Sequence, residues 1–331
     1  MKDLKPILAG HPFLRGMKNE HLDVLARHAR EAQFKEGQII FRQGDAAFEF
    51  FLLLEGKVTV ESYVLRADNV SLQTIEAGDV LGWSWLFPPF TWHFQARALE
   101  PAKAIMIDGA RLLVACEHDP DLGYELMQRV AQIVINRLQN ARKGLANLCL
   151  EDGLLPAVDD SKIRRHSQTA PKADLLLMIA EHPFFKGIKP EHLKILGRSA
   201  METKFEADQA LFSEGQPANR FYLIQHGKVI LESPKAQSGS IPVQIISDGD
   251  VLGWSWLFPP FYWHFDARAL EPTTAIFLYG ARLREECEAN HGFGYDLLKR
   301  VCQVLIRRLQ ATRRQLLSFQ AHSAQPSLQT H

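Results

Sequence analysis

The spacing of apolar and polar residues divides the chain into short strand-like runs and a few helical ones. Leu22, Leu25, Ala26 and Ala29 follow the spacing of three and four residues that predicts an amphipathic helix. Brief β-type runs come next and are separated by glycine-containing turns. The clearest runs cover residues 38–41, 50–54, 58–60 and 71–75. This rhythm is typical of a β-roll or barrel.

A long helical pattern follows these strands. Its apolar stripe consists of Leu126, Val130, Ile133, Ile135 and Leu138, and a similar stripe recurs at Leu297, Val301, Val304, Leu305 and Leu309. Because Arg129, Arg137 and Arg142 fall between the apolar positions of the first stripe, we predict that these arginines point outward. We place the two closing helices at residues 123–144 and 294–319.

The two stripes belong to an internal repeat that has no gap. His11-Pro12-Phe13 recurs as His182-Pro183-Phe184, and the same spacing maps Gly56-Lys57-Val58 onto Gly227-Lys228-Val229. We therefore predict two copies of one domain, at residues 3–148 and 174–319. Residues 149–173 show no periodicity and are predicted to be a linker, and residues 320–331 a disordered tail.

Identity between the copies is concentrated in one segment. Residues 78–101 and 249–272 differ only where Thr91 and Gln95 are replaced by Tyr262 and Asp266. This segment is therefore the candidate functional site. The Gln95/Asp266 difference predicts either a change of polarity at one edge of the site or a change on the solvent face that has no effect.

Glycine turns carry a family resemblance. Gly44-Asp45, Gly56, Gly78-Asp79 and Gly82 stand where the cyclic-nucleotide-binding domain places its tight turns, and that family includes catabolite-activator-type regulators and kinase regulatory subunits. The chain resembles this family twice over nearly its whole length. The resemblance implies an α+β fold of two tandem β-roll, jelly-roll-like domains. Each domain would have an N-terminal helical segment and a long C-terminal helix.

The resemblance also identifies the segment after Gly82 as the phosphate-binding cassette. The family glutamate that holds the ribose hydroxyl falls on Trp83 and Trp254, and the arginine that pairs with the cyclic phosphate falls on Trp92 and Trp263. Burial of a phosphate without a paired guanidinium costs several kcal/mol. The cassettes are therefore expected to be degenerate, and binding of cAMP is not expected.

Two interpretations of the cassettes stay open. Their tryptophans either line a cleft for an apolar or aromatic ligand or fill the old pocket as core. The pocket candidates are Gly82, Trp83, Ser84, Trp85, Trp92 and His93 in the first copy, and Gly253, Trp254, Ser255, Trp256, Trp263 and His264 in the second.

His93 raises the question of a haem or metal ligand. Strand alternation places His93, Gln95 and Arg97 on one face and Trp92, Phe94 and Ala96 on the other, so His93 is predicted to lie on the polar side. The four scattered cysteines form no zinc pattern and are expected to be reduced, structural thiols. We therefore predict no cofactor, no metal and no catalytic residue.

Charge limits the choice of partners. The chain has 38 basic and 38 acidic residues, and this balance gives no global attraction to nucleic acid or anionic lipid. No run approaches the roughly 18 apolar residues of a membrane span. A cytoplasmic location is expected by default, with a small-molecule ligand other than cAMP or a protein partner. The matched helical stripes predict that the two copies pair within the chain, and a homodimer also remains open.

The sequence thus favours a non-enzymatic regulatory or adaptor protein whose pockets bind a non-cyclic-nucleotide ligand or a protein partner. One alternative is a cAMP- or cGMP-responsive regulator related to the catabolite-activator transcription factors, although residues 320–331 are too few for a helix-turn-helix. A cupin-like enzyme is a second alternative, but the cupin histidine cluster is missing. Ser167 follows a basic Arg164-Arg165-His166 motif, which is more simply a solvated linker than a phosphorylation site.

Overall fold

The computed structural model describes residues 3–62, 70–152, 175–234 and 240–323. The α-helices of these residues are α1 (Lys5–Gly10), α2 (Asn19–Arg27), α3 (Gly109–His118), α4 (Pro120–Asp152), α5 (Leu175–Glu181), α6 (Pro190–Gly197), α7 (Gly280–Ala289) and α8 (His291–Ser323). Most of the predicted linker, with Ser167, and most of the predicted tail lie outside the described residues.

Strands occur in the same order in both copies. The first copy contains β1 (Ala29–Phe34), β2 (Ile39–Phe41), β3 (Glu49–Glu55), β4 (Lys57–Ser62), β5 (Val70–Glu76), β6 (Val80–Leu81), β7 (Gln95–Ala98) and β8 (Ala102–Asp108). The second contains β9 (Ala200–Phe205), β10 (Ala210–Phe212), β11 (Arg220–His226), β12 (Val229–Pro234), β13 (Ser240–Ile246), β14 (Val251–Leu252), β15 (Asp266–Ala269) and β16 (Thr273–Tyr279).

Each copy forms two four-stranded antiparallel sheets. In the first copy the strand orders are β1-β8-β3-β6 and β2-β7-β4-β5, and the second copy repeats both orders with β9-β16-β11-β14 and β10-β15-β12-β13. The predicted fold class is therefore confirmed as α+β, with two tandem β-rolls and long helices after them.

The chain separates into two compact units. Unit 1 consists of Met1–Val134 together with Leu305–His331, and unit 2 consists of Ile135–Val304. The roll of unit 1 is therefore accompanied by the second half of α8, and the roll of unit 2 by the second half of α4. The predicted domain bounds at 3–148 and 174–319 follow the sequence repeat and differ from the bounds of these units. They remain a prediction of where each functional domain begins and ends.

The turn at Gly56 shows why the rolls need glycine. Its φ of +86° lies in the left-handed region that other residues rarely adopt. An added Cβ would also lie 2.5 Å from the carbonyl oxygen of Pro101. Both the backbone conformation and the close approach therefore exclude a side chain at the turn that joins β3 to β4.

The core of the unit 1 roll is closed by a residue from α8. Leu317 belongs to the same buried cluster as Phe51, Val58, Trp92 and Phe94. In unit 2 the corresponding cluster includes Tyr222, Val229, Trp263 and Phe265. Of the cassette tryptophans predicted as pocket candidates, Trp92 and Trp263 are thus part of the roll cores.

Several predicted bounds differ from the structure. The first helical pattern predicts a helix as far as Ala29, but α2 ends at Arg27 and Ala29 begins β1. Both closing helices are longer than predicted, because α4 and α8 begin before residues 123 and 294 and continue past residues 144 and 319. Cys116, Cys287 and Cys302 are buried, and burial raises the pKa of the Cys287 thiol to about 12.

Candidate functional site

The cassette follows an unusual path between β6 and β7. Gly82 adopts a φ of +90°, and a short 3-10 helix, Ser84–Leu86, follows it. The Pro88-Pro89 peptide bond is cis, and Phe90 has a φ of +56°. Unit 2 repeats the same path, with Gly253 at +89°, a cis Pro259-Pro260 bond and Phe261 at +58°. The sequence identity of the two segments is therefore matched by their geometry.

Trp92 and Trp263 point into the rolls. Trp92 is 4% exposed and stacks on Phe41, with ring centroids 4.0 Å apart and 16° between the ring planes. Trp263 stacks in the same way on Phe212, at 3.9 Å and 15°. A Cβ added to Gly82 would lie 3.0 Å from Cη2 of Trp92. The glycine turn and the buried indole are therefore close-packed against each other.

The other two tryptophans of each cassette lie elsewhere. Trp85 is 2% exposed, and a Cβ added to Gly109 at the start of α3 would lie 2.5 Å from its Cγ. Trp256 is fully buried and packs in the same way against Gly280. Trp83 is half-buried and its ring lies 5.3 Å from that of Phe50. Trp92 and Trp263 therefore lie in the roll cores, whereas Trp85 and Trp256 pack against the first residue of the helix that follows each roll.

His93 and His264 contact the cassette serines. Nδ1 of His93 lies 3.2 Å from Oγ of Ser84, and Nδ1 of His264 lies 3.1 Å from Oγ of Ser255. Burial, and then the positive charge of Arg314, lower the pKa of His93 below its ordinary value. Burial lowers the pKa of His264 in the same way, followed by the charge of Lys143. Both imidazoles are therefore neutral at neutral pH.

In unit 1 a polar cluster lies on the face of β7 that carries Gln95 and Arg97. Nε2 of Gln95 donates to Oε1 of Glu61 at 2.6 Å, and Arg97 donates to the same oxygen at 2.9 Å. Glu61 is 6% exposed and Gln95 is fully buried. The interpretation that position 95 faces solvent is therefore wrong. The Gln95 side chain is buried, because it donates to Glu61, its register partner on the neighbouring strand β4.

Unit 2 arranges the corresponding charges differently. Arg268 pairs with Glu232 at 3.1 Å and with Asp208 at 2.6 Å. Asp266, which replaces Gln95, instead accepts the backbone N–H of Glu214 at 2.8 Å. Burial, and then the Asp266 carboxylate, raise the pKa of Glu214. Asp208 and Glu214 stand where unit 1 has Gly37 and Gln43, so the different partners follow from several residue differences and not from Asp266 alone.

An arginine of each closing helix also lies beside the cassette, which the sequence pattern does not predict. Arg142 lies 5.5 Å from the ring centroid of Phe265 and donates to Oε1 of Gln244. It is 4% exposed, so the prediction that it points outward is wrong. In unit 1, Arg313 lies 5.5 Å from the ring centroid of Phe94 and donates to Gln73. The internal repeat is the feature of the sequence that indicates these two arginines, since the Arg142-Lys143 pair recurs as Arg313-Arg314.

Neither a membrane-spanning helix nor a metal-binding cluster is found among the described residues. None of the helices there is both long and apolar enough to cross a membrane. No group of three or more His, Cys, Asp or Glu residues that could hold a metal ion occurs among the described residues.

Comparison with known proteins gives one family. The profile of the cyclic nucleotide-binding domain matches residues 31–119 and 202–290. A search of curated proteins finds no match.

Solved structures give the following likenesses. A presumed cyclic nucleotide-binding protein from Geobacter metallireducens is 30% identical, over 42% of this chain and 99% of its own, with a TM-score of 0.37. A cyclic nucleotide-binding domain from Methylobacillus flagellatus is 18% identical, and the match covers 47% of this chain and 85% of that domain, with a TM-score of 0.39. The regulatory subunit of a cAMP-independent protein kinase A from Trypanosoma brucei is 15% identical, over 91% and 90%, with a TM-score of 0.34.

The two profile matches together span more than half of the chain. The first runs from β1 to the end of α3, and the second from β9 to the end of α7. The predicted resemblance is thus confirmed for both copies. The chain belongs to the cyclic nucleotide-binding domain family, and it carries two such domains in tandem.

Proposed function

We propose that this chain is a non-enzymatic regulatory or adaptor protein whose cassettes do not take cAMP or cGMP. The observation that carries this proposal is the position of Trp92 and Trp263. Each indole is buried in its roll and stacked on a phenylalanine ring, and by resemblance each stands where the family arginine would meet the cyclic phosphate. A nucleotide would have to displace a close-packed aromatic side chain.

The charges around the cassettes support the same proposal. Arg97 and Arg268 are paired with the buried carboxylates of Glu61 and Glu232. The lowered pKa of His93 keeps its imidazole neutral at neutral pH. None of these groups replaces the lost guanidinium, so a buried phosphate would keep much of its desolvation cost.

The ribose contact is changed as well. By resemblance, Trp83 and Trp254 stand in place of the glutamate that accepts a hydrogen bond from the ribose hydroxyl. An indole ring has one N–H donor and no comparable acceptor. The sugar hydroxyl would therefore lose its partner, and leaving a polar group unpaired on burial costs about 1–3 kcal/mol.

The remaining choice is between a ligand of other chemistry and a protein partner. The cassettes offer aromatic rings and neutral imidazoles, a composition that suits an apolar or aromatic ligand. Arg313 over the Phe94 ring and Arg142 over the Phe265 ring connect each site to a closing helix. In this proposal, occupancy of the site acts on those helices, which are the regulatory output.

Calorimetric titration of the full chain with cAMP and with cGMP tests the proposal. Thermal unfolding of the same sample shows that the protein is folded during the titration. We expect no saturable heat at millimolar nucleotide and no rise in Tm. Saturable binding of either nucleotide with a micromolar Kd would overturn the proposal in favour of the cAMP- or cGMP-responsive regulator. Native mass spectrometry of the purified chain then tests for a co-purified ligand of different mass.

A further inference from the structure

A pocket of about 350 Å³ lies in unit 1 outside the cassette. It is formed where the end of α2 and the first residues of β1 and β3 meet the end of β8 and the first turn of α3. Arg27, Arg30 and Arg111 line it together with Phe48 and Met106. The pocket therefore combines three guanidinium groups with an aromatic ring and a thioether.

The guanidinium groups of this pocket are only partly neutralised. Arg111 lies 3.4 Å from the Asp108 carboxylate. Arg27 donates to the backbone carbonyl of Asp23, and Arg30 contacts the sulfur of Met106 at 3.9 Å. Within the described ranges, neither Arg27 nor Arg30 forms an ion pair. Glu49 is the second carboxylate of the lining, so the pocket keeps a net positive charge.

At the positions that correspond to the pocket lining, unit 2 has different residue types. Tyr279 replaces Asp108, Phe277 replaces Met106 and Met201 replaces Arg30. The rings of Phe277 and Tyr279 lie 5.2 Å apart, and Oη of Tyr279 lies 3.6 Å from the sulfur of Met201. Arg220, at the position of Glu49, lies 4.6 Å from the centroid of Phe277.

The two copies thus keep the same cassette but differ at this second place. In unit 2 aromatic and sulfur side chains pack on one another, whereas in unit 1 the same positions surround a pocket. Phe48 is 54% exposed at the pocket of unit 1, and its counterpart in unit 2 is Asn219. The exposed ring of Phe48 and the guanidinium of Arg30 therefore have no counterpart at the same positions of unit 2.

We propose that this pocket binds a small organic anion that joins a carboxylate or phosphate group to an aromatic body. Guanidinium groups suit planar carboxylates and phosphates because they donate two parallel hydrogen bonds. The exposed Phe48 ring and the Met106 side chain offer apolar surface to the rest of the ligand. The volume of the pocket lies at the lower end of the range for small-molecule sites, roughly 300–1,000 Å³.

Phenyl phosphate is a suitable probe, and calorimetry of the full chain is the measurement. We expect one saturable site per chain, with at least tenfold weaker binding of inorganic phosphate and of phenol. Arg30→Met, which copies unit 2, should weaken phenyl phosphate binding at least tenfold. Phe48→Asn, which also copies unit 2, should weaken phenyl phosphate much more than inorganic phosphate.

Arg198→Met is the matched control, because Arg198 is the counterpart of Arg27 in unit 2. This control should leave the affinity unchanged. The proposal is wrong if phenyl phosphate does not saturate, if two equal sites appear, or if Arg198→Met weakens binding as much as Arg30→Met does. It is also overturned if an oligoglutamate peptide binds this face more tightly than phenyl phosphate, since the partner would then be an acidic protein segment.

Discussion

The indole of Trp92 lies almost parallel to the ring of Phe41, with 4.0 Å between the ring centroids. Phe41 belongs to β2, whereas Trp92 ends the cassette loop just before β7. The stacked pair therefore joins the cassette to a neighbouring strand of the roll. Trp263 and Phe212 form the same pair in unit 2.

Trp263→Ala should lower the free energy of unfolding by about 3–5 kcal/mol, because it leaves a cavity in the roll and removes the stacking partner of Phe212. Tyr262→Ala is the matched control, since Tyr262 is the preceding residue and is 48% exposed. The control should cost less than about 1 kcal/mol. Urea denaturation of both variants measures the difference, and equal losses would show that Trp263 does not fill the roll.

Gly82→Ala should be more damaging than Gly44→Ala. Both glycines have a φ of +90°, so both substitutions carry the left-handed backbone cost of about 1–2 kcal/mol. Nothing lies within 4 Å of a Cβ added to Gly44, whereas at Gly82 it would lie 3.0 Å from Trp92 and 3.1 Å from the Glu49 carbonyl oxygen. Chemical denaturation of the two variants isolates the steric part. Equal destabilisation would contradict close packing between the turn and the indole.

Gln95→Asp should destabilise unit 1, although unit 2 has aspartate at this position. The substitution removes the donor to Glu61 and places a second carboxylate beside it. The new carboxyl should have a raised pKa in the folded state, so its cost is absent below the unfolded pKa of about 4 and grows as the pH rises toward 7.

Gln95→Asn is the matched control for that change. It shortens the side chain without adding charge, so its cost should stay constant between pH 4 and pH 7. Denaturation midpoints of both variants relative to the native chain test this expectation. If the aspartate variant showed no added loss at pH 7, Gln95 would not be held by Glu61.

His182 should make unit 2 less stable in acid. Burial lowers the pKa of His182 from 6.5 to about 4, against the opposing effects of the Ile224 carbonyl and Asp250. A lowered pKa means that the neutral form is favoured by folding. Its contribution is therefore fully present above pH 6.5 and is lost as the pH falls toward 4, by about 3 kcal/mol over that window.

His182→Gln should remove this pH dependence while lowering stability at pH 7.5. Unfolding free energies at pH 7.5 and pH 4.5 for the variant and the native chain give the comparison. His226→Gln serves as the exposed control, because the His226 side chain is 59% exposed. A native-to-variant difference that stays constant between the two pH values would rule out His182 as the titrating group.

The turns and faces of the rolls could be predicted from sequence because they depend on local chemistry. Gly44, Gly56 and Gly82 were expected to need a conformation that glycine adopts cheaply, and all three have φ of +86° or more. Strand alternation puts Trp92 on the face opposite His93, and the structure has Trp92 in the roll core. In both cases, near neighbours in the sequence determine the outcome.

Arg142 shows where such reasoning fails. Helical periodicity correctly separated it from the apolar stripe, but periodicity does not reveal what covers the other face of a helix. Gln244 and Phe265, which contact Arg142, come from strands far along the chain. The unit 1 pocket was missed for the same reason, since its lining comes from α2, β1, β3, β8 and α3, and only folding brings these elements together.

The position of Leu317 in the core of unit 1 has a consequence for how the protein is made. A ribosome releases residues 1–134 first, yet Leu317 leaves it only after the whole of unit 2, residues 135–304, has been synthesised. At about 5–20 residues per second, this delay is on the order of ten to thirty seconds. Unit 2 is contiguous and has been synthesised in full before Leu317 appears, so the amino-terminal roll is expected to reach its final core last.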